Sequence, residues 1–184
     1  CAVQGHMLAQ VHLGQMYKNG SGVEQDYARA HELHMQAALQ TEETSNAYTR
    51  LTQAGSFHDL GSMYLDGNGC EQSHERAVEW WAKAAELGSD TAKFDLGEAY
   101  ELGRGVPQSY ERAIEYYTLG ANEGYPMAMN KLVALAARFM ISDKVLGEDG
   151  GGSGGIVQSL STARRLFEVV APMAVSSGTF YNLF

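Results

Sequence analysis

This sequence predicts an all-α fold of stacked helix hairpins, and three observations carry that expectation. A phrase recurs at intervals, a Gly-x-Gly break follows each copy, and a capping residue sits at a constant offset beyond the break. Leu60-Gly61-Ser62-Met63-Tyr64, with Gly67 and Gly69, returns 36 residues later as Leu96-Gly97-Glu98-Ala99-Tyr100, with Gly103 and Gly105. Leu13-Gly14-Gln15-Met16-Tyr17, with Gly20 and Gly22, is the same phrase 47 residues before the copy at Leu60. Repetition on this scale marks a supersecondary unit that buries its apolar face only by stacking on its neighbours. Function then belongs to an extended surface.

The first half of each unit places apolar residues at helical spacing: Ala9, Leu13 and Tyr17; Leu60 and Tyr64; Ala92, Leu96 and Tyr100. A glycine inside a helix costs about 1 kcal/mol against alanine. Its return at Gly14, Gly61 and Gly97 therefore predicts close approach of a second helix. Gly20, Gly67 and Gly103 can take the left-handed conformation that ends a helix. These glycines follow a helix with no strand before them, which argues against a phosphate-binding loop.

The second half opens at Asp26, Ser73 and Ser109, residue types that cap the free amides of a first helical turn. Ala30, Ala77 and Ala113 follow. Next come the bulky pairs Leu33-His34, Trp80-Trp81 and Tyr116-Tyr117, and then Ala37-Ala38, Ala84-Ala85 and Gly120-Ala121. Small residues admit a neighbouring backbone, and large ones fill the space between layers.

The pattern Ala-x3-Leu-Gly-x2-Tyr-x2-Gly-x-Gly-Val, then a capped helix with an aromatic pair and Ala-Ala-x2-Gly, resembles the Sel-one-like repeat family. Gly88 and Gly124 supply the closing glycine of the second and third copies. The resemblance is closest over 56–88 and 92–124 and extends to 9–38. It implies a right-handed α-solenoid related to tetratricopeptide arrays. Family members serve as adaptors in protein complexes, including the endoplasmic-reticulum degradation ligase, chitin synthase regulation and bacterial signalling.

On this reading residues 1–184 form one array with repeats at about 9–41, 56–88, 92–124 and 128–174. Cys1-Ala2-Val3-Gln4-Gly5 matches the tail of a second helix, and Phe180-Tyr181-Asn182-Leu183 the start of a first one. The expectation is a fragment of a longer solenoid, with any targeting segment outside it. Two departures interrupt the period. Eleven extra residues fall within 39–56, read as a helical insertion that lengthens the second helix or projects a short extra one. A glycine-rich segment, 147–156, has linker composition. It is read as a loop inside the fourth repeat, because Ser159, Ala163, Leu166-Phe167 and Ala171 match the third repeat in register. Before it, Ala128 and Leu132 fit a first helix. The alternative is a linker that joins a partner peptide, 156–184, to the solenoid.

Hydrophobic residues make up 45% of the chain and charged ones 19%, with a net charge of −9. That balance argues against nucleic acid, which requires clustered Lys and Arg. No apolar run reaches the length of a membrane span. His31 and His34 lie three apart on a helix, but His34 occupies the place of Trp81 and Tyr117, so packing is its expected role. His58 takes the place of Phe94 in the same way. No Cys or carboxylate completes a zinc-like spacing. Cys70 and Cys1 lie too far apart in the array to imply a disulfide. No nucleophile–base constellation is evident, so the chain reads as non-catalytic, with no cofactor and no metal.

The function then lies on the surface. In stacked hairpins the first helices line the concave side, and residues between the fixed Leu and Tyr positions are expected to point to solvent. In register these are His12, Asp59, Asp95 and Lys131; Gln15, Ser62 and Glu98; Lys18, Leu65 and Glu101. The partner-binding candidates are His12, Gln15, Lys18, Asp59, Ser62, Asp95, Glu98 and Glu101. The acidic middle favours a basic or mixed peptide. The leading reading is a protein-binding adaptor that also contacts the adjoining repeats of a full-length array. An endoplasmic-reticulum quality-control complex is the first pathway considered, because Asn19-Gly20-Ser21 is a glycosylation sequon. That sequon favours the endoplasmic-reticulum lumen over the cytoplasm. The competing reading is an accessory domain of a larger signalling or enzyme-activating protein.

Overall fold

The computed structural model describes residues 6–40 and 47–146. They form seven α-helices and no strand: α1 (Met7–Asn19), α2 (Tyr27–Ala38), α3 (Ala47–Asp66), α4 (His74–Glu86), α5 (Asp90–Leu102), α6 (Tyr110–Asn122) and α7 (Pro126–Leu146). The chain divides between Gln108 and Ser109 into two compact units.

In the first unit α1 pairs with α2 and α3 with α4, while α2 packs on α3 and α4 on α5. The hairpins are stacked, and α1 also touches α3. Helix α3 is therefore covered on several sides and buries Ala54, Leu60, Met63 and Tyr64. The glycines Gly14 and Gly61 sit where close approach requires them. A Cβ on Gly61 would overlap the Trp81 indole, and one on Gly14 would press on the His34 ring. Hydrogen is the only side chain that fits there.

The turns also repeat. Gly20 and Gly103 cap α1 and α5 in the left-handed region, at φ 68° and 67°. Gly69 and Gly105 combine a positive φ with contact to the preceding hairpin. Their Cβ atoms would overlap the carbonyls of Tyr27 and His74, at the start of α2 and α4. Beyond the turns, Asp26 and Ser73 accept hydrogen bonds from the amides of Arg29 and Arg76 at 3.0 and 3.2 Å. These arginines then lie over Tyr17 and Tyr64 of the first helices, 5.5 and 5.6 Å from the ring centroids. Each cap thus aims a cation at the first helix of its own hairpin.

Part of the excess within 39–56 lengthens the next first helix, where a longer second helix or a short extra helix was expected. Helix α2 ends at Ala38 after 12 residues, and α3 runs for 20 against 13 for α1 and α5. The added turns are the N-terminal start of the second repeat's first helix. The Gln53 side chain ties them back by donating to the carbonyls of Ala38 and Gln40 at 3.3 and 3.2 Å. Tyr48 and Leu51, one turn apart on this extension, are exposed.

In the second unit Ser109 caps α6 by accepting from the Arg112 amide at 3.3 Å. Helices α6 and α7 pack together, burying Ala113, Ile114 and Tyr117 from one and Ala128, Leu132 and Leu135 from the other. Gly120 admits Ala128 closely. Ala128 and Leu132 thus occupy the core positions of a first helix. The expectations for Cys1 to Gly5, for 147–156, and for Ser159, Ala163, Leu166-Phe167, Ala171 and the Phe180 segment lie outside the described residues.

Candidate partner-binding face

Three polar residues from α1, two from α3 and three from α5 define the face, and the structure divides them by exposure. His12 is exposed, while Gln15, Lys18, Ser62, Asp95, Glu98 and Glu101 are partly covered. Asp59 was expected to point to solvent and does not: it is 8% exposed. Stacking places it under α1, where the Lys18 ammonium lies 2.8 Å from Oδ1 and the Gln15 amide donates to Oδ2 at 2.5 Å. Two donors from the first repeat therefore hold one carboxylate of the second.

The next joint uses the same column differently. Asp95 on α5 receives His58 Nε2 from α3 at 2.7 Å. His58 was expected to pack as Phe94 does. It is instead a polar link between repeats, and its side chain stays 26% exposed. The Ser62 hydroxyl donates back to the His58 carbonyl at 3.2 Å. Four of the eight candidate residues, Gln15, Lys18, Asp59 and Asp95, thus take part in ties between repeats.

His34 completes the first joint from α2. It is fully buried, and neither ring nitrogen has a hydrogen-bond partner. Nε2 lies 3.9 Å from Asp59 Oδ2. Burial pushes the imidazole below its ordinary value, outweighing the attraction of Asp59, and Lys18 and His31 push the same way. His34 is a neutral packing ring beside a carboxylate already neutralised by Lys18.

A third recurring feature went unread in the sequence. Gln25, Gln72 and Gln108 stand five residues beyond Gly20, Gly67 and Gly103. Their amides donate to the carbonyls of Lys18, Leu65 and Glu101 at 2.8, 2.7 and 2.8 Å. These carbonyls belong to the last turn of a helix, where no intrahelical donor remains. The fixed offset of Gln from the glycine break was the available signal. Its effect is to hold the end of the face, where Lys18, Leu65 and Glu101 stand, in the same posture in each copy.

Among the described residues no group of three or more His, Cys, Asp or Glu could hold a metal, and no helix is long and apolar enough to cross a membrane. Cys70 is a free thiol, pushed up by burial. A half-open cavity of about 50 Å³ lies where α3, α4 and α5 meet, with Asp95 and Glu98 among its lining residues.

The family model for the Sel1 repeat matches residues 8–41, 58–89 and 91–125. Among solved structures, the chain is similar to a Sel1 repeat protein from Oxalobacter formigenes, with 26% identity and a TM-score of 0.62. It is also similar to a protective antigen of uropathogenic Escherichia coli strains that displays an SLR fold, with 29% identity and a TM-score of 0.64. The likeness covers 93% and 94% of this chain, which spans 60% and 39% of those two chains respectively. Comparison with curated proteins gave no significant match.

Proposed function

Because the chain belongs to the Sel1 repeat family, whose members generally act as protein–protein interaction scaffolds, we propose that it holds a protein partner along its first helices. The observation that carries this reading is the recurrence of largely polar residues at the same register positions of α1, α3 and α5, each helix end held by the same glutamine tie. Such a column offers a series of equivalent contacts to an extended peptide. The partner is a basic or mixed segment, because Asp95, Glu98 and Glu101 give the middle of the face an acidic bias, while Asp59 is covered and paired with Lys18. The candidate contacts are those eight residues, with Asp59 and Asp95 acting partly through the repeat joints.

The site of action we favour is an endoplasmic-reticulum quality-control complex. Asn19, Gly20 and Ser21 form a sequon on an exposed turn at the end of α1. A mobility shift on enzymatic deglycosylation supports the lumenal setting, and its absence in secretory expression counts against it. For the scaffold itself, Glu98→Lys with Glu101→Lys is compared with Glu79→Lys and Glu86→Lys on α4. A partner lost with the first pair and kept with the second supports the face. Equal recovery with both pairs removes it.

A further inference from the structure

The two repeat joints of the first unit are built in register, and one is filled where the other is open. Asp95 corresponds to Asp59, Trp81 to His34, and Leu65 to Lys18. In the first joint Lys18 extends along the column and places its ammonium 2.8 Å from the aspartate. In the second joint the corresponding side chain is Leu65, which carries no charge. A cavity of about 50 Å³ lies there, with Leu65, Trp81, Ala99 and Leu102 giving it apolar walls. Asp95 and Glu98 contribute two carboxylates, while His74 and the exposed Arg104 complete the lining. His58 engages only Oδ2 of Asp95, and the Asp95 side chain keeps 25% of its surface exposed.

We infer that this notch receives the end of a lysine side chain from the bound partner, as the first joint receives Lys18 of this chain. The inference rests on the first-helix face being the partner surface, and it names one contact on that face. An apolar cavity that accepts a benzene ring measures about 150 Å³, so a notch of about 50 Å³ suits a terminal methylene and ammonium rather than a ring. The stem of a lysine covers apolar surface while its head stays polar. Leu65 and Leu102 match the stem, and the Oδ1 side of Asp95, which His58 does not engage, matches the head. Trp81 is 5% exposed and gives the notch a firm wall whose indole reports on occupancy.

The test uses the whole chain and Nα-acetyl-lysine methylamide, with the norleucine analogue as its uncharged counterpart. Titration followed by ¹H–¹⁵N spectra reads the Trp81 indole N–H, assigned with Trp80→Phe. A saturable shift with the lysine probe and none with norleucine is expected. Leu65→Lys supplies the ammonium internally and abolishes the response, while Leu65→Met retains it. Asp95→Asn weakens the probe by about tenfold, the loss of one charge-assisted contact. Equal shifts with norleucine, no saturable shift, or an unchanged response in Leu65→Lys overturns the inference. Should Leu65→Lys fail to fold, unchanged affinity in Asp95→Asn overturns it instead. A partner captured equally by wild type and Leu65→Lys, yet lost with the Glu98 and Glu101 reversals, removes the notch and leaves the scaffold reading standing.

Discussion

Two glycines in one helix should respond to the same substitution with opposite signs. Gly55 and Gly61 both lie in α3. Alanine in place of a helical glycine ordinarily stabilises by about 0.5–1 kcal/mol through helix propensity and loss of freedom in the unfolded chain. A Cβ on Gly55 would meet nothing within 4 Å, so Gly55→Ala should show that gain. A Cβ on Gly61 would overlap the Trp81 indole at Cδ1 and Nε1. Trp81 is nearly fully buried, so the ring cannot withdraw to solvent. Overpacking of this kind costs about 1–3 kcal/mol. Against the propensity gain, Gly61→Ala should lose about 1–2 kcal/mol net. Urea denaturation followed by circular dichroism measures both variants at equal slope. Trp81→Phe, with a smaller ring, should recover part of the loss in the double variant, giving a coupling between the two sites. Equal stabilisation by both alanines would falsify the packing assigned to this hairpin.

The remaining expectations concern the joints. Asp59→Asn should cost about 1.5–3 kcal/mol, because it weakens charge-assisted hydrogen bonds from Lys18 and Gln15 under partial cover; a urea midpoint within error of wild type would mean that Asp59 behaves as a solvated surface residue. His34 should make folding acid-sensitive. Its folded-state value lies below the ordinary 6.5 because of burial, so the neutral ring contributes stability that is present above 6.5 and lost as pH falls through the folded value. Denaturation midpoints from pH 7.5 to 5 should fall, and His34→Phe should flatten part of the slope; His31, also pushed down by burial, retains the rest. An identical slope in the variant would show that His34 does not titrate between the folded and unfolded states. Gly69→Ala should destabilise by at least about 1–2 kcal/mol from the left-handed backbone alone, and a melting temperature at or above wild type would contradict the turn contact with Tyr27.

The hairpins were legible because their signals are local and repeated. Gly61 and Trp81 stand 20 residues apart in the second copy, as Gly14 and His34 do in the first, and each pair meets in the structure. The caps Asp26, Ser73 and Ser109 were legible for the same reason, since a cap acts within one turn. What the sequence did not show was set by stacking. Asp59 looks like a surface residue within its own helix and becomes buried only when α1 lies over it. His58 shares a register position with Phe94, yet it meets Asp95 because the next first helix brings a carboxylate within reach. The extra residues within 39–56 preserve helical phase wherever they are placed, so periodicity alone did not assign them to α3. On the face, the eight candidates were placed by register, and burial then separated exposed His12 from covered Asp59. The Gln25, Gln72 and Gln108 series was present at a fixed offset, but its role depends on which carbonyls a helix end leaves unpaired.

The central claim is that a protein partner lies along the first helices, and site-specific photo-crosslinking tests it most directly. A photoreactive amino acid is placed singly at His12, Glu98 or Glu101 on the face, and at Glu79 or Glu115 on the second helices, in the protein as expressed in cells. The account predicts one common partner joined from the face positions and not from the others, with yields that fall as salt rises because charge steers the encounter. The same partner joined with equal yield from Glu79 and Glu115, and not from the face, would contradict it.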